Sequence, residues 1–176
     1  MHRLTQRLCA ASVVVLAAAS VAGCGGSGEA EKKAASTLPA SVVPKAFCSE
    51  LDLAAASALT TAPVTSFKNS FSDNTYTCLG EPGQNVAVAV GVPTRTMADQ
   101  RRIAATEKAK VAAVPGVDAA HGIYNQATSG QTAGQIYVML FVGDNAVQCT
   151  WLKNEKGATP ETFGQYCVDQ ANRMAK

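Results

Sequence analysis

Gln135-Ile136-Tyr137-Val138-Met139-Leu140-Phe141-Val142, then Gly143-Asp144-Asn145, then Ala146-Val147-Gln148-Cys149-Thr150-Trp151-Leu152-Lys153 read as two strands around a tight turn. The first run is almost wholly apolar and rich in branched and aromatic residues, the composition of a well-buried strand. Gly-Asp-Asn supplies residues that tolerate the backbone angles of a hairpin turn. On the returning strand Cys149 and Trp151 are two positions apart, so they share one face. Thr159-Pro160-Glu161 then opens a helix, with Pro160 suited to its first position. Phe163, Tyr166, Cys167 and Gln170 follow at helical spacing, which lets Cys167 reach back to Cys149.

Upstream, Val86-Ala87-Val88-Ala89-Val90 alternates branched and small residues, a strand with one well-packed face. Thr75–Leu79 is a short β-rich run, and Glu81-Pro82-Gly83-Gln84-Asn85 is the turn that makes a hairpin of the two. The stretch from Pro44 to Leu59 reads helical through Phe47, Leu51 and Ala54 or Ala55; Asp52 can instead cap a shorter helix over Leu53–Leu59. Thr60–Asp73 reads as a polar loop. Thr94–Val114 reads as a long charged helix. Met97, Ala104 and Val111 form its narrow apolar stripe, and Pro115-Gly116 ends it. That stripe suits a helix docked on a sheet, with a solvated outer face. His121–Gln126 is a weak strand, and Thr128–Gly134 is a turn or loose hairpin. The predicted order is α-β-β-α-β-β-β-α. This is an α+β domain with a mainly antiparallel sheet backed by helices on one face.

The N-terminus divides as a secretory signal does: Arg3 and Arg7, then an apolar run of about 13 residues from Leu8 to Ser20. That run is short of the roughly 20 residues a spanning helix needs. Val21-Ala22-Gly23-Cys24 closes it, and Gly25-Gly26-Ser27-Gly28 follows. This step resembles the bacterial lipobox. The resemblance implies cleavage before Cys24, a diacylglycerol on its sulfur and an acyl group on its nitrogen. Two or three chains together anchor stably, where one binds only marginally. The expected organisation is residues 1–23 as signal peptide, 24–43 as lipidated Cys and flexible tether, and 44–176 as one domain. The expected location is the plasma membrane, lipid-anchored and facing the extracytoplasmic side.

Of 15 Lys and Arg, Arg3 and Arg7 leave with the signal, so 13 face 13 Asp and Glu in the remainder. A near-neutral chain with 6% aromatic residues offers neither the basic field nor the stacking surfaces of a nucleic-acid binder. Cys48, Cys78, Cys149 and Cys167 remain after Cys9 is removed and Cys24 lipidated. An even number in an exported domain implies two disulfides with three possible connectivities. Cys48–Cys78 and Cys149–Cys167 are favoured, because each joins a helix to a nearby strand. No CxxC pair occurs and His121 is the one histidine after the signal, so no metal site or other cofactor is expected.

Three segments resemble a family of small actinobacterial lipoprotein domains of unknown function: Phe47-Cys48-Ser49-Glu50-Leu51, Thr77-Cys78, and Cys149-Thr150-Trp151 with Tyr166-Cys167. Pro115-Gly116-Val117-Asp118-Ala119-Ala120 is similar to a Gly-Asp-Glu-Ala pattern in extracellular sensor domains, including the two-disulfide outer domain of mycobacterial Ser/Thr kinases. There the chain lacks a second Gly and the Glu. The resemblance implies a helix-backed antiparallel sheet with a cleft and transfers no catalytic residue. No Gly-x-Ser-x-Gly elbow or phosphate loop occurs, and no carboxylate pair is selected by spacing. The expectation is a non-enzymatic envelope lipoprotein that binds a small ligand or an envelope protein. A structural or accessory subunit is the alternative, and a hydrolase the third reading. His121, Tyr124, Tyr137 and Trp151 are the candidate contact surface, on the sheet face and the loop Pro115–Gln126. For Trp151 the competing expectation is a core ring packed over the disulfide.

Overall fold

Seven strands form one antiparallel sheet: β1 (Ser66–Ser72), β2 (Thr75–Glu81), β3 (Val86–Gly91), β4 (Lys110–Ala112), β5 (Gly122–Gln126), β6 (Ile136–Val142) and β7 (Asn145–Trp151). Their order across the sheet is β1-β2-β3-β7-β6-β5-β4. Among the described residues three α-helices accompany them: α1 (Leu53–Leu59), α2 (Met97–Thr106) and α3 (Pro160–Arg173). This is the computed structural model of the chain, and it describes residues 38–42, 47–154 and 156–175. The signal segment, Cys24 and most of the tether lie outside the described residues.

The fold is α+β, as the strand and helix patterns require. The β6–β7 hairpin sits near the middle of the sheet, paired from Ile136–Trp151 to Val142–Asn145. Its alternation is literal: Ile136, Val138, Leu140 and Val142 are buried, as are Val147, Cys149 and Trp151. On the neighbouring β3, Val86, Val88 and Val90 complete the same face. Phe163, Tyr166, Cys167 and Val168 of α3 close over it. Each such side chain contributes about 1.5–3 kcal/mol relative to exposure. α3 is opened by Thr159, whose hydroxyl accepts from the Thr162 N–H while the Thr162 hydroxyl accepts from the Thr159 N–H. Gly164 lets α3 approach the chain at Val114–Pro115. A Cβ there would sit 2.9 Å from the Pro115 ring.

Both favoured disulfides are present, Cys48–Cys78 and Cys149–Cys167, with Cα separations of 5.5 and 5.7 Å. These lie within the ordinary range for the bond. Leu38–Val42, assigned by sequence to the tether, pack on the domain. Val42 is buried and pairs with Ala175 beyond α3.

Two elements differ from the sequence expectation, and a third decides between two readings. Of the two readings of the stretch up to Leu59 the single helix fails and the Asp52-capped one holds: a 3-10 turn over Phe47–Glu50 precedes α1, and the Asp52 carboxylate caps α1 by accepting from the Ala55 N–H. The polar loop Thr60–Asp73 contains the strand β1. Six of its seven residues are exposed, so no apolar alternation marks it in sequence. The long second helix stops early. α2 starts at the Thr96 cap and gives out at Lys108, which takes a left-handed backbone (φ 54°). Lys110–Ala112 then pair with β5 as β4. Met97 and Ala104 are buried as the stripe predicted, but Val111 is 41% exposed on an edge strand. Pairing with β5 decides that segment, and local helical pattern does not see it.

The helices also divide between the two faces. α2 touches β4 and β5. Its Gln100 shares a groove with Ala89, Met139 and Gln148, which alternate with the residues facing α3. The one-sided helix layer expected from sequence is therefore a two-sided one.

Candidate binding cleft

The four candidate contact residues do not form one surface. Trp151 is fully buried opposite Val86 and Ile136, its ring 5.7 Å from Phe163, in the core that holds Cys149 and Cys167. Tyr124 is 2% exposed and opposite Val138. Burial raises its phenol pKa, with Glu161 adding to the effect. Both rings are core, which is the competing reading of Trp151. A sequence shows that a ring lies on a strand; it does not show which face a helix will cover.

His121 and Tyr137 remain accessible, and they lie in different depressions. His121 borders one of about 380 Å³ with Asp118, Phe141 and Leu38–Ala40. The Asp118 carboxylate accepts from the Ala120 and His121 N–H groups at 2.8 and 3.2 Å. It also meets His121 Nδ1 at 2.8 Å. The imidazole contact, then these N–H bonds, hold the Asp118 carboxyl below its usual range. The Arg101 guanidinium donates to the Ala119 and Gly122 carbonyls and pins the same loop to α2. This dyad organises a turn. Among the described residues that line the depression there is no Ser, Thr, Cys or Lys beside His121.

Tyr137 borders a larger cleft of about 450 Å³, where the end of α2 meets the loop between β5 and β6. The Thr128 hydroxyl donates to the Lys108 carbonyl at 2.8 Å and ties that loop to the helix end. The Ala127 N–H donates to the Gln135 carbonyl, and the Gly134 N–H to the Ala127 carbonyl, both at 2.9 Å. Gly130 and Gly134 take left-handed backbone angles inside the loop. The wall so built carries Thr128, Ser129, Thr132 and Gln135, with Glu107 and Tyr137 across from them.

Beneath the wall, Asn125 is 3% exposed, and its side-chain N–H donates to the Tyr137 hydroxyl oxygen at 3.0 Å. That bond fixes the phenol and leaves its own O–H free to donate. The Asn125 carboxamide oxygen has no hydrogen-bond partner among the described residues. Buried carboxamides are normally satisfied. Burial raises the Tyr137 pKa, and the Glu107 charge raises it further, so the phenol is a neutral donor at physiological pH. The cleft thus pairs a positioned donor with a carboxylate acceptor and a row of hydroxyls. It suits a small, neutral or cationic, hydroxyl- or amine-bearing ligand.

Of these residues, sequence singled out Tyr137 alone. Glu107 is mid-helix in the sequence reading, and Asn125 is an interior position of a weak strand. The cluster of Thr, Ser and Gln from Thr128 to Gln135 was the available signal, and it reads as a turn. Among the described residues no group of three or more His, Cys, Asp and Glu is placed to hold a metal ion, and no helix is long and apolar enough to cross a membrane. No protein-family model matches the chain, and no curated protein or solved structure matches it either.

Proposed function

We propose that this chain is a non-enzymatic lipoprotein of the bacterial envelope, of the small actinobacterial type its cysteine segments resemble. Cys24 carries the lipid, the membrane is one partner through that lipid, and the α+β domain binds a small polar ligand on the extracytoplasmic side. The observation that carries the binding part is the Tyr137 cleft, with its phenol oriented from beneath by the buried Asn125. The anchoring part rests on Val21-Ala22-Gly23-Cys24.

Both parts are tested on the full chain expressed in an actinobacterial host. With an alkyne fatty acid in the medium, wild type takes up label and fractionates with membranes. Cys24→Ser does neither; a labelled, membrane-bound Cys24→Ser protein would end the anchoring reading. For the cleft, saturation-transfer NMR with a set of monosaccharides and small amines should show contact that Tyr137→Phe weakens by roughly 10-fold in affinity, the worth of one buried donor. Binding unchanged in Tyr137→Phe, or no contact with any member of the set, would remove the cleft from the proposal.

A further inference from the structure

We propose that β1 is a self-pairing edge, through which two copies of this chain join their sheets about a two-fold axis at Asn69. β1 ends the sheet and, among the described residues, pairs with β2 alone. An edge strand presents a row of unpaired N–H and C=O groups, which natural proteins usually blunt with Pro, a bulge or several charges. β1 reads Ser66-Phe67-Lys68-Asn69-Ser70-Phe71-Ser72, with no Pro and a single charge. Phe71 is 58% exposed, its ring 4.4 Å from Tyr76.

The hairpin settles which backbone groups face outward. Asp73 and Asn74 both have positive φ, 50° and 59°, the signature of a two-residue type I′ turn. Such a turn is closed by a hydrogen-bonded pair, here Ser72 with Thr75. Hydrogen-bonded and open pairs alternate along an antiparallel ladder. Ser72, Ser70 and Lys68 therefore spend their N–H and C=O groups on β2. Phe71, Asn69 and Phe67 direct theirs away from β2, to an edge that no other described strand pairs.

A second copy laid antiparallel with its Asn69 opposite Asn69 meets those outward groups pair by pair. Phe67 then exchanges both N–H···O bonds with Phe71 of the second copy, and the two Asn69 residues with each other. The side chains agree with the backbone, because the strand reads nearly the same in both directions. Ser66 meets Ser72, Phe67 meets Phe71, and Lys68 meets Ser70. The exposed Phe71 gains an aromatic neighbour on its own face, a stabilising cross-strand pair. The strand's one cation faces a hydroxyl instead of its own copy. A register with Lys68 opposite Lys68 would also join outward groups, Phe67 to Asn69 of the second copy, but it sets like charges directly opposite each other and loses the Phe67–Phe71 pair. The interface is isologous, so it closes as a dimer and does not propagate.

Sedimentation equilibrium of the full chain in density-matched detergent tests this. Wild type at about 100 µM should show the mass of two chains, since a short edge interface is expected to associate in the micromolar range. Asn69→Pro removes an N–H that points away from β2, a place where edge strands tolerate Pro. Phe71→Glu sets a carboxylate against Phe67 of the second copy. Each should keep the wild-type circular-dichroism spectrum and weaken self-association by at least about 10-fold, or 1.4 kcal/mol. A wild-type monomer at that concentration overturns the proposal. So does either variant folded and as dimeric as wild type. Should Asn69→Pro fail to fold, Phe71→Glu, at a site already 58% exposed, decides alone.

Discussion

The β6–β7 hairpin and the β1–β2 hairpin are the same device built twice, with opposite surroundings. Each is a pair of seven-residue strands. Each is tied by one disulfide to a helical segment, Cys149 to α3 and Cys78 to the 3-10 turn Phe47–Glu50. In β6–β7 alternate residues on both strands are buried, and α3 lies on them. In β1 no residue is fully buried, and β2 buries Cys78 and Gly80. The middle of the sheet is held by packed apolar area and stapled besides. At the edge there is little area to pack, and the cross-link carries a larger share of the order. A disulfide thus serves as reinforcement in one place and as a substitute for a core in the other.

That contrast is broken most sharply by removing one ring from each hairpin. Trp151→Ala should cost about 3–5 kcal/mol, because it leaves a void where nothing can collapse. Phe71→Ala, at a 58% exposed site, should cost under about 1 kcal/mol. Urea unfolding of the two variants measures both, and similar losses would mean the edge packs as well as the centre.

The disulfides sharpen it next. The loops span 18 and 30 residues, so chain entropy alone assigns about 3.2 kcal/mol to Cys149–Cys167 and about 3.6 kcal/mol to Cys48–Cys78. Replacing both cysteines of each pair by Ala should reverse that order. Both side chains of the central pair are at 0% exposure, whereas in the edge pair only Cys78 is and Cys48 is half-buried, so the packing penalty of the central pair is the larger by about 1 kcal/mol. If the edge pair costs more in thermal unfolding, entropy governs and the packing contrast between the hairpins is overstated.

The smallest expected effect is at the joint between α1 and α3. The Asp52 carboxylate accepts from the Ala55 N–H and lies 2.6 Å from the Arg173 guanidinium, while the Asp52 N–H donates to Gln170. The Ala55 bond, aided by the Arg173 charge and opposed by burial, holds this carboxyl below its ordinary value. A carboxyl depressed in the folded state stabilises above its unfolded pKa of about 4, and that stabilisation is lost as pH falls through the lower folded value. Asp52→Asn keeps a capping oxygen but loses the ion pair. It should cost about 0.5–1 kcal/mol at pH 7, a difference that shrinks below about pH 4. A wild-type-to-variant gap that stays constant from pH 7 to pH 2 would show that Asp52 caps without its charge.

Legibility in sequence follows burial. Five strands are read correctly, β2, β3, β5, β6 and β7, and the most clearly patterned of them, β3, β6 and β7, bury one face, so their side chains had to alternate. β1 buries almost nothing, and β4 is three residues at the opposite edge, so neither leaves a pattern. The cleft was half legible for the same reason. Tyr137 stands on a strongly patterned strand, whereas Asn125 and Glu107 join it because β4 interrupts the helix and brings its end over β5.

By itself the sequence determined the α+β class and the central hairpin with its backing helix, and it favoured the two disulfide pairings that form out of three possible connectivities. All of these rest on local spacing or on the number of cysteines, which folding cannot change. Tertiary structure alone decided the two edge strands, the division of helices between the faces, the burial of Tyr124 and Trp151, and the meeting of Asn125, Tyr137 and Glu107. These depend on which surfaces are covered, and coverage is a property of elements far apart in the chain.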